Sequence, residues 1–133
     1  MPKKRPPKLA YAIVYVPDVA RAVDFYERAF GLERRFVHDS GTYAELETGE
    51  TALAFASEEA TPTRGAFALN RRSSKAAGVE VGLVVDDVPA AFERAVAAGA
   101  EAVLAPTEKP WGQTVSYVRD LDGFLVEICT AVG

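Results

Sequence analysis

The same succession of hydrophobic patterns, typical of a strand, a helix and three further strands, occurs twice along the chain. An apolar and β-branched run at 10–16 predicts a strand, and the apolar residues that follow recur at helical spacing with charged residues on the other side. Three shorter runs then predict three more strands, and the second half repeats this order. The predicted strands are 10–16, 33–38, 42–46, 51–56, 79–85, 102–105, 113–118 and 124–129, and the predicted helices lie between 18 and 31 and between 87 and 99.

Both predicted helices begin after an aspartate and end at a glycine. Asp18 and Asp87 stand where a carboxylate accepts hydrogen bonds from the free backbone N–H groups of a first turn. Gly31 and Gly99 supply the left-handed residue that closes a helix. The chain is therefore predicted to contain two units of strand, helix and three strands, at about 9–57 and 79–133.

A segment of about twenty residues, 58–78, separates the two units and is rich in Thr, Arg, Ser and Ala. Connections this long without structure are uncommon in compact domains. Phe67 and Leu69 indicate that part of this linker packs against the protein. Residues 1–8 are basic and rich in proline, which predicts a flexible, solubilising tail ahead of a single domain at 9–133.

Composition narrows the classes of function. With 49% hydrophobic and 26% charged residues, the 133-residue chain can fold as one domain. The net charge is −4, and four of the 15 basic residues lie in the tail, so the rest is strongly acidic and does not suit nucleic acid. No apolar segment is long enough for a signal peptide or a membrane span. The single cysteine allows no internal disulfide, which favours a cytoplasmic location.

Several short motifs within this repeated pattern resemble those of a known protein family. The sequence resembles the glyoxalase I, bleomycin-resistance and extradiol-dioxygenase superfamily, also called vicinal oxygen chelate proteins. The resemblance rests on Val-Pro-Asp-Val…Asp-Phe-Tyr within 11–30, Val-Asp-Asp-Val at 85–88, Pro-Trp-Gly-Gln at 110–113, and Asp-Leu-Asp-Gly…Val-Glu within 120–127. It implies an α+β fold in which two βαβββ modules form a cupped mixed sheet. Such a fold hosts many chemistries, so it does not by itself fix a function.

The resemblance also implies where a metal would bind. Enzymes of the family hold a divalent metal in the cup, with His, Gln or Glu ligands from the first and last strand of each module. The corresponding positions here are Tyr11, Ala54, Glu80 and Glu127. Two carboxylates without imidazole suit only hard, weakly held cations. We therefore expect no cofactor and no metal, and a weak divalent metal at Glu80 and Glu127 is the alternative.

Strand alternation predicts which side chains face the cup. It gives the cup an aromatic wall, a floor of small residues and two neighbouring carboxylates, which suit a flat, partly apolar and cationic ligand. The predicted ligand-binding residues are Tyr11, Ile13, Tyr15, Phe36, His38, Ala54, Glu80, Trp111, Gln113 and Glu127.

Each polar candidate also has a structural interpretation. Glu127 is predicted to be an acid/base or a cation anchor that Glu80 tunes, because neighbouring carboxylates do not both ionise easily. The alternative is that Glu80 faces solvent and Glu127 is only hydrogen-bonded. Trp111 either stacks on a ligand at the rim of the cup or covers a sheet edge. Gln113, at the entrance of the next strand, can hydrogen-bond a ligand.

The lone histidine and the lone cysteine carry weaker predictions. His38 precedes Asp39 and Ser40, but residues this close in sequence cannot present a catalytic triad to one substrate. His38 either lines the cup beside Phe36 or lies on the surface. Cys129 has apolar neighbours in sequence and is predicted to be an inert buried thiol.

Three classes of function follow from these observations. The first is a metal-independent protein that binds a small molecule, with an antibiotic or other natural product as the ligand class that the resemblance suggests. The second is a glyoxalase-like lyase, isomerase or dioxygenase that uses Glu80 and Glu127 with a weak metal. The third is a dimeric protein whose cup binds nothing important. In all three we expect a cytoplasmic homodimer without nucleic-acid or membrane partners.

Overall fold

A computed structural model describes residues 4–132. All ten predicted elements are present in the predicted order. They are β1 (Tyr11–Val16), α1 (Val19–Phe30), β2 (Arg34–Val37), β3 (Tyr43–Leu46), β4 (Ala52–Ser57), β5 (Glu80–Val84), α2 (Val88–Ala97), β6 (Glu101–Glu108), β7 (Thr114–Arg119) and β8 (Leu125–Cys129). The predicted tail at 1–8 lies partly outside the described residues, and 4–10 has no regular structure.

Each unit builds its own four-stranded mixed sheet, in the order β1-β4-β3-β2 for the first sheet and β5-β8-β7-β6 for the second. The outer pairs β1–β4 and β5–β8 are parallel, and the remaining pairs are antiparallel. The α+β fold with two βαβββ modules is thus confirmed. Hydrogen bonding divides the strands into two sheets, with β1 and β5 each at an edge.

Every strand boundary lies within one residue of the sequence prediction except the end of β6, and the end of β2 affects one candidate residue. β6 runs through Pro106 to Glu108, past the predicted end at Ala105. Proline is tolerated here because β6 is an edge strand whose register with β7 shifts between Leu104 and Thr107. β2 ends at Val37, so His38 belongs to the following turn rather than to the strand.

The helix boundaries follow local hydrogen bonding. The Asp18 Oδ1 atom accepts from the backbone N–H of Arg21 at 3.0 Å, and the Asp87 Oδ1 atom accepts from that of Ala90 at 3.0 Å. Gly31 closes α1 with φ of 72°. Neither helix in residues 4–132 is long and apolar enough to cross a membrane.

The core lies between the helices and one face of each sheet, and the two helices fill it unequally. α1 buries large aromatic side chains, including Phe25 and Tyr26, at 0% and 1% exposure. α2 buries only Val88 and Ala95. Counted from the two capping aspartates, Ala95 occupies the position that Tyr26 has in α1. The second unit therefore has less side-chain volume beneath its helix.

The linker 58–78 joins the two units through polar contacts. The buried Glu58 carboxylate accepts from the Arg71 guanidinium at 2.9 Å. The Arg119 guanidinium, in turn, donates to the backbone carbonyls of Arg71 and Ser74. Phe67 packs against the protein as predicted, whereas Leu69 is 48% exposed. The linker is thus ordered by contacts at both ends.

Candidate functional site

Each sheet has one face covered by its helix and one face that is not, here called its open face. The open faces correspond to the predicted cup. The open face of the second sheet carries Glu80, Gly82, Val84, Val115, Tyr117, Leu125, Glu127 and Cys129. That of the first sheet carries Tyr11, Ile13, Tyr15, Phe36, Tyr43, Glu45, Ala52, Ala54 and Ala56.

Glu127 lies at the centre of the second open face. It is on β8, between Gly82 of β5 and Tyr117 of β7 in the strand register. The Tyr117 hydroxyl donates to its Oε2 atom at 2.9 Å. A Cβ atom added to Gly82 would lie 3.2 Å from its Oε1 atom, so the absence of a side chain there leaves this oxygen open from the β5 side. The carboxylate is therefore fixed in position and accessible.

The pKa values of Glu80 and Tyr117, the neighbours of Glu127, are both raised above their ordinary values. Partial desolvation of the Glu80 carboxyl raises its pKa, and the negative charge of Glu127 raises it further. The hydrogen bond to Glu127, together with desolvation, raises the pKa of Tyr117 to about 12. A cation bound here would relieve the repulsion between the two carboxylates. The second open face thus carries two neighbouring carboxylates, and the pKa of the Glu80 carboxyl is raised.

Cys129 and Gln113 continue this face toward the loop between β6 and β7. Cys129 is 4% exposed, and burial, followed by the charge of Glu127, raises the pKa of its thiol. The Gln113 Oε1 atom accepts from the Trp111 indole N–H at 3.0 Å, and its Nε2 atom donates to the Thr130 carbonyl at 3.0 Å. Gln113 therefore orients Trp111, which leaves the indole ring 62% exposed.

The first open face is more aromatic. Tyr11 and Phe36 are 48% and 41% exposed. The Phe36 ring lies 5.9 Å from that of Tyr43. The Tyr43 hydroxyl donates to Glu45 at 2.7 Å, and Arg35 donates to the same carboxylate at 3.2 Å. This carboxylate is thus already paired.

Other candidates on the first sheet are covered or turned to solvent. Tyr15 stacks on Phe67 with ring centroids 4.2 Å apart, and its hydroxyl accepts from Thr63 at 2.9 Å. Ala54 is fully buried. His38 lies in an exposed turn, with its Nδ1 atom 2.7 Å from the Ser40 hydroxyl. Only part of the predicted wall is therefore free to meet a ligand.

The structure brings Glu80, Gln113, Trp111 and Glu127 onto one sheet, and Tyr11, Ile13, Phe36 and Ala54 onto the other. Among residues 4–132, no side-chain hydrogen bond joins these two groups. Sequence reasoning missed Tyr117 and Glu45, because it did not follow side-chain alternation along β7 or β3. The alternation of Val115 and Tyr117 along β7 was the signal that could have found the tyrosine.

The donor set does not fit the metal site that the family resemblance implies. Glu80 and Glu127 are on neighbouring strands, but Tyr11 and Ala54 occupy the other two positions and offer no imidazole or carboxylate. Within 4–132, no group of three or more His, Cys, Asp or Glu side chains could hold a metal ion.

Comparison with solved structures places the fold among known proteins. A glyoxalase/bleomycin resistance protein/dioxygenase family enzyme from Burkholderia phytofirmans PsJN superposes with a TM-score of 0.80 at 22% identity, over 93% of this chain and 98% of that chain. A glyoxalase-related enzyme from Fulvimarina pelagi gives 0.77 at 22% identity, over 93% and 88%. TioX from Micromonospora sp. ML1 gives 0.72 at 28% identity, over 93% and 98%.

Sequence comparison agrees with the structural one. No curated protein matches the sequence significantly. The family model of the glyoxalase/bleomycin resistance protein/dioxygenase superfamily matches residues 8–128, which include every strand but the last residue of β8. With both modules inside this match, the chain belongs to the glyoxalase/bleomycin resistance protein/dioxygenase superfamily.

Proposed function

We propose that this protein binds a small aromatic cation on the open face of its second sheet and needs no metal to do so. The ligand class is a natural-product amine, such as an antibiotic, in keeping with the bleomycin-resistance branch in the family's name. The observation that carries the proposal is the Glu127 carboxylate, which is held by Tyr117 at 2.9 Å and lies beside Glu80.

Charge supports a cationic rather than an anionic ligand. Two carboxylates share this face, and among residues 4–132 neither forms a salt bridge with a basic side chain. Neighbouring carboxylates without a basic partner favour a bound cation, because the cation offsets their mutual repulsion. The exposed indole of Trp111 supplies a face for an aromatic ring or a cation. Together the two carboxylates and the indole favour a ligand that is both cationic and aromatic.

A homodimer is the second part of the proposal. Large apolar side chains are exposed on and around both open faces, including Tyr11, Val84 and Trp111 at 48%, 66% and 62%. Apolar exposure at edge strands favours association with another chain. A partner copy that covers part of an open face would also exclude water from the bound ligand.

The test uses a matched pair of probes, 4-aminoquinoline, which is cationic at neutral pH, and quinoline, which is neutral. Both should quench the emission of Trp111, the only tryptophan in the chain. Glu127→Gln keeps the side-chain size and the acceptor for Tyr117 but removes the charge. It should weaken 4-aminoquinoline by about 1.5–3 kcal/mol, the range for a hydrogen bond to a charged group, and leave quinoline nearly unchanged.

Glu59→Gln is the control, because Glu59 is an exposed linker residue, and it should not alter either affinity. Equal binding of 4-aminoquinoline to wild type and Glu127→Gln contradicts the role of the carboxylate. Binding without quenching contradicts the position of Trp111.

Metal analysis separates this proposal from a metal-dependent lyase, isomerase or dioxygenase that uses Glu80 and Glu127. We expect no stoichiometric zinc, nickel or iron in the purified protein. Close to one such ion per chain, lost in Glu127→Ala, would favour the enzyme instead.

A further inference from the structure

A cavity of about 300 Å³ lies on the helix side of the second sheet. It is bounded by the end of α1, by α2 and by the edge strand β5. Its lining includes Phe30, Leu83, Ala91, Arg94 and Ile128. Leu83 and Ile128 alternate along their strands with residues of the open face, so this cavity is on the opposite side of the sheet from Glu127. A ligand in this cavity would therefore not contact Glu127 or the open face.

The cavity exists because α2 lacks the large side chains of α1. When the helices are aligned at Asp18 and Asp87, Ala95 replaces Tyr26 and Gly99 replaces Phe30. The first strand of each unit, which lies beneath its helix, is buried to a different extent. Val14 and Val16 of β1 are 4% and 0% exposed.

The corresponding residues in the second unit, Leu83 of β5 and Val85 just after it, are only partly buried. The helix of the second unit therefore leaves apolar surface uncovered. This surface lines an open cavity whose volume is at the lower end of the range for small-molecule sites.

Arg94 is the charged residue of the lining, and it occupies the position of Phe25 in α1. Its Nε atom donates to the Arg28 carbonyl at 2.9 Å, and its Nη2 atom donates to the Glu27 carbonyl at 3.4 Å. These bonds fix the guanidinium at the end of α1. Within residues 4–132, no carboxylate forms a salt bridge with Arg94, and its Nη1 atom has no hydrogen-bond partner.

We propose that this cavity binds a medium-chain linear carboxylate such as octanoate. The hydrocarbon chain would lie against Leu83, Ile128 and Phe30, and the carboxylate would accept hydrogen bonds from Arg94. An arginine fixed at the edge of an apolar cavity favours an amphipathic anion, because the guanidinium geometry suits a carboxylate and the rest of the lining gains by burial. The volume of about 300 Å³ accommodates one such chain.

The first experiment compares octanoate with octan-1-ol, which has the same chain without the charge. Binding is followed by calorimetry and by the methyl NMR signals of Leu83 and Ile128. Octanoate should bind saturably and shift both signals, and octan-1-ol should bind more weakly. Ala91→Leu fills the cavity and should abolish binding. Ala97→Leu is the matched control, because Ala97 is exposed on the same helix and does not line the cavity.

A second pair of variants tests the charge. Arg94→Gln should weaken octanoate by about tenfold or more, as expected for loss of a charge-assisted hydrogen bond, and leave octan-1-ol unchanged. Arg64→Gln, at an exposed linker arginine, should bind octanoate like wild type. Thermal unfolding without ligand shows whether each variant is folded. If Arg94→Gln is unfolded, the octanoate and octan-1-ol comparison in wild type decides the question.

Three results would overturn the proposal. One is the absence of saturable octanoate binding to the wild type. Another is equal affinity for octan-1-ol, which removes the role of Arg94. The third is that Ala91→Leu changes self-association but not octanoate binding, which would assign the cavity to a second copy of the chain. Shifts at Leu125 or Trp111 instead of Leu83 would place octanoate on the open face and likewise contradict it.

Discussion

Tyr26 and Asp120 form a buried hydrogen bond between the helix of the first unit and the last turn of the second. The Tyr26 hydroxyl donates to the Asp120 Oδ2 atom at 2.7 Å. The Oδ1 atom accepts from the backbone N–H groups of Asp122 and Phe124, each at 2.9 Å. Asp120 is 2% exposed, and each of its oxygens has a partner. This residue therefore links the two units.

Burial of Asp120 gives stability a predictable dependence on pH. Desolvation raises the pKa of Asp120 above its ordinary value, and the hydrogen bonds to its carboxylate oppose only part of that rise. The folded state then holds a proton at pH values where the unfolded state has lost it. This contribution to the free energy of unfolding is full below the unfolded pKa and is lost as pH rises through the folded pKa.

Asp120→Asn should remove that dependence. The amide can accept from the same two backbone N–H groups and donate to the Tyr26 oxygen, so the variant should fold. The difference in free energy of unfolding, variant minus wild type, should rise as the pH increases above about 3.9. The total rise should be about 1.4 kcal/mol for each unit by which folding raises the pKa of Asp120. Urea unfolding across acid to neutral pH measures it. Asp39→Asn, in an exposed turn, is the control. A constant or falling difference contradicts the prediction.

At the scale of elements, both helices depend on one side chain at their first turn. The Asp18 and Asp87 carboxylates accept from backbone N–H groups at 3.0 Å in each case. These N–H groups have no partner within the helix, and loss of such a cap removes one hydrogen bond from its first turn.

Asp18→Ala should lower the free energy of unfolding by about 1 kcal/mol, within the range of about 0.5–2 kcal/mol for loss of a cap. Asp18→Asn retains an acceptor and should cost much less. Urea unfolding measures both, and the same pair at Asp87 tests the second helix. Equal losses for alanine and asparagine would show that the charge, not the hydrogen bond, stabilises the helix start.

The turn between β7 and β8 approaches the linker too closely for any side chain at Gly123. Its φ is 89°, and a Cβ atom there would lie 2.6 Å from the Arg71 carbonyl oxygen. The turn and the linker therefore hold each other in place.

Gly123→Ala should lower the free energy of unfolding by about 2–5 kcal/mol, because left-handed strain costs about 1–2 kcal/mol and overpacking about 1–3 kcal/mol. Gly41→Ala is the matched control, since its φ is 72° and nothing lies within 4 Å of its Cβ position. It should show only the cost of the backbone strain. Equal losses in urea unfolding would mean that the linker moves away from the turn at little cost.

At the scale of the whole molecule, the exposed apolar residues predict a homodimer. Sedimentation velocity at micromolar concentration should show a dimer. Val84→Lys places a charge at a side chain that is 66% exposed on edge strand β5, and should shift the equilibrium toward monomer. Ala97→Lys, on the exposed side of α2, should not. A monomer alone in the wild-type protein contradicts the prediction.

Local signals in the sequence determined the order of elements and the fold. Strand and helix periods, the aspartate caps and the closing glycine Gly31 act within a few residues, so they can be read without knowing the rest of the chain. The same local signals occur twice along the chain, and this internal repeat predicted the two modules. The end of β6 was predicted three residues too early, because whether Pro106 ends a strand depends on an edge position that only the sheet order decides.

Tertiary structure decided which candidate side chains are available. The stacking of Tyr15 on Phe67 and the burial of Ala54 depend on chain segments far apart in sequence. The partnership of Tyr117 with Glu127 depends on strand register, and the cavity beside Arg94 depends on how two helices meet. These contacts join residues whose separation no local period encodes. The sequence therefore determined the fold and the face on which the candidate residues lie, whereas packing determined which groups on that face are open to solvent.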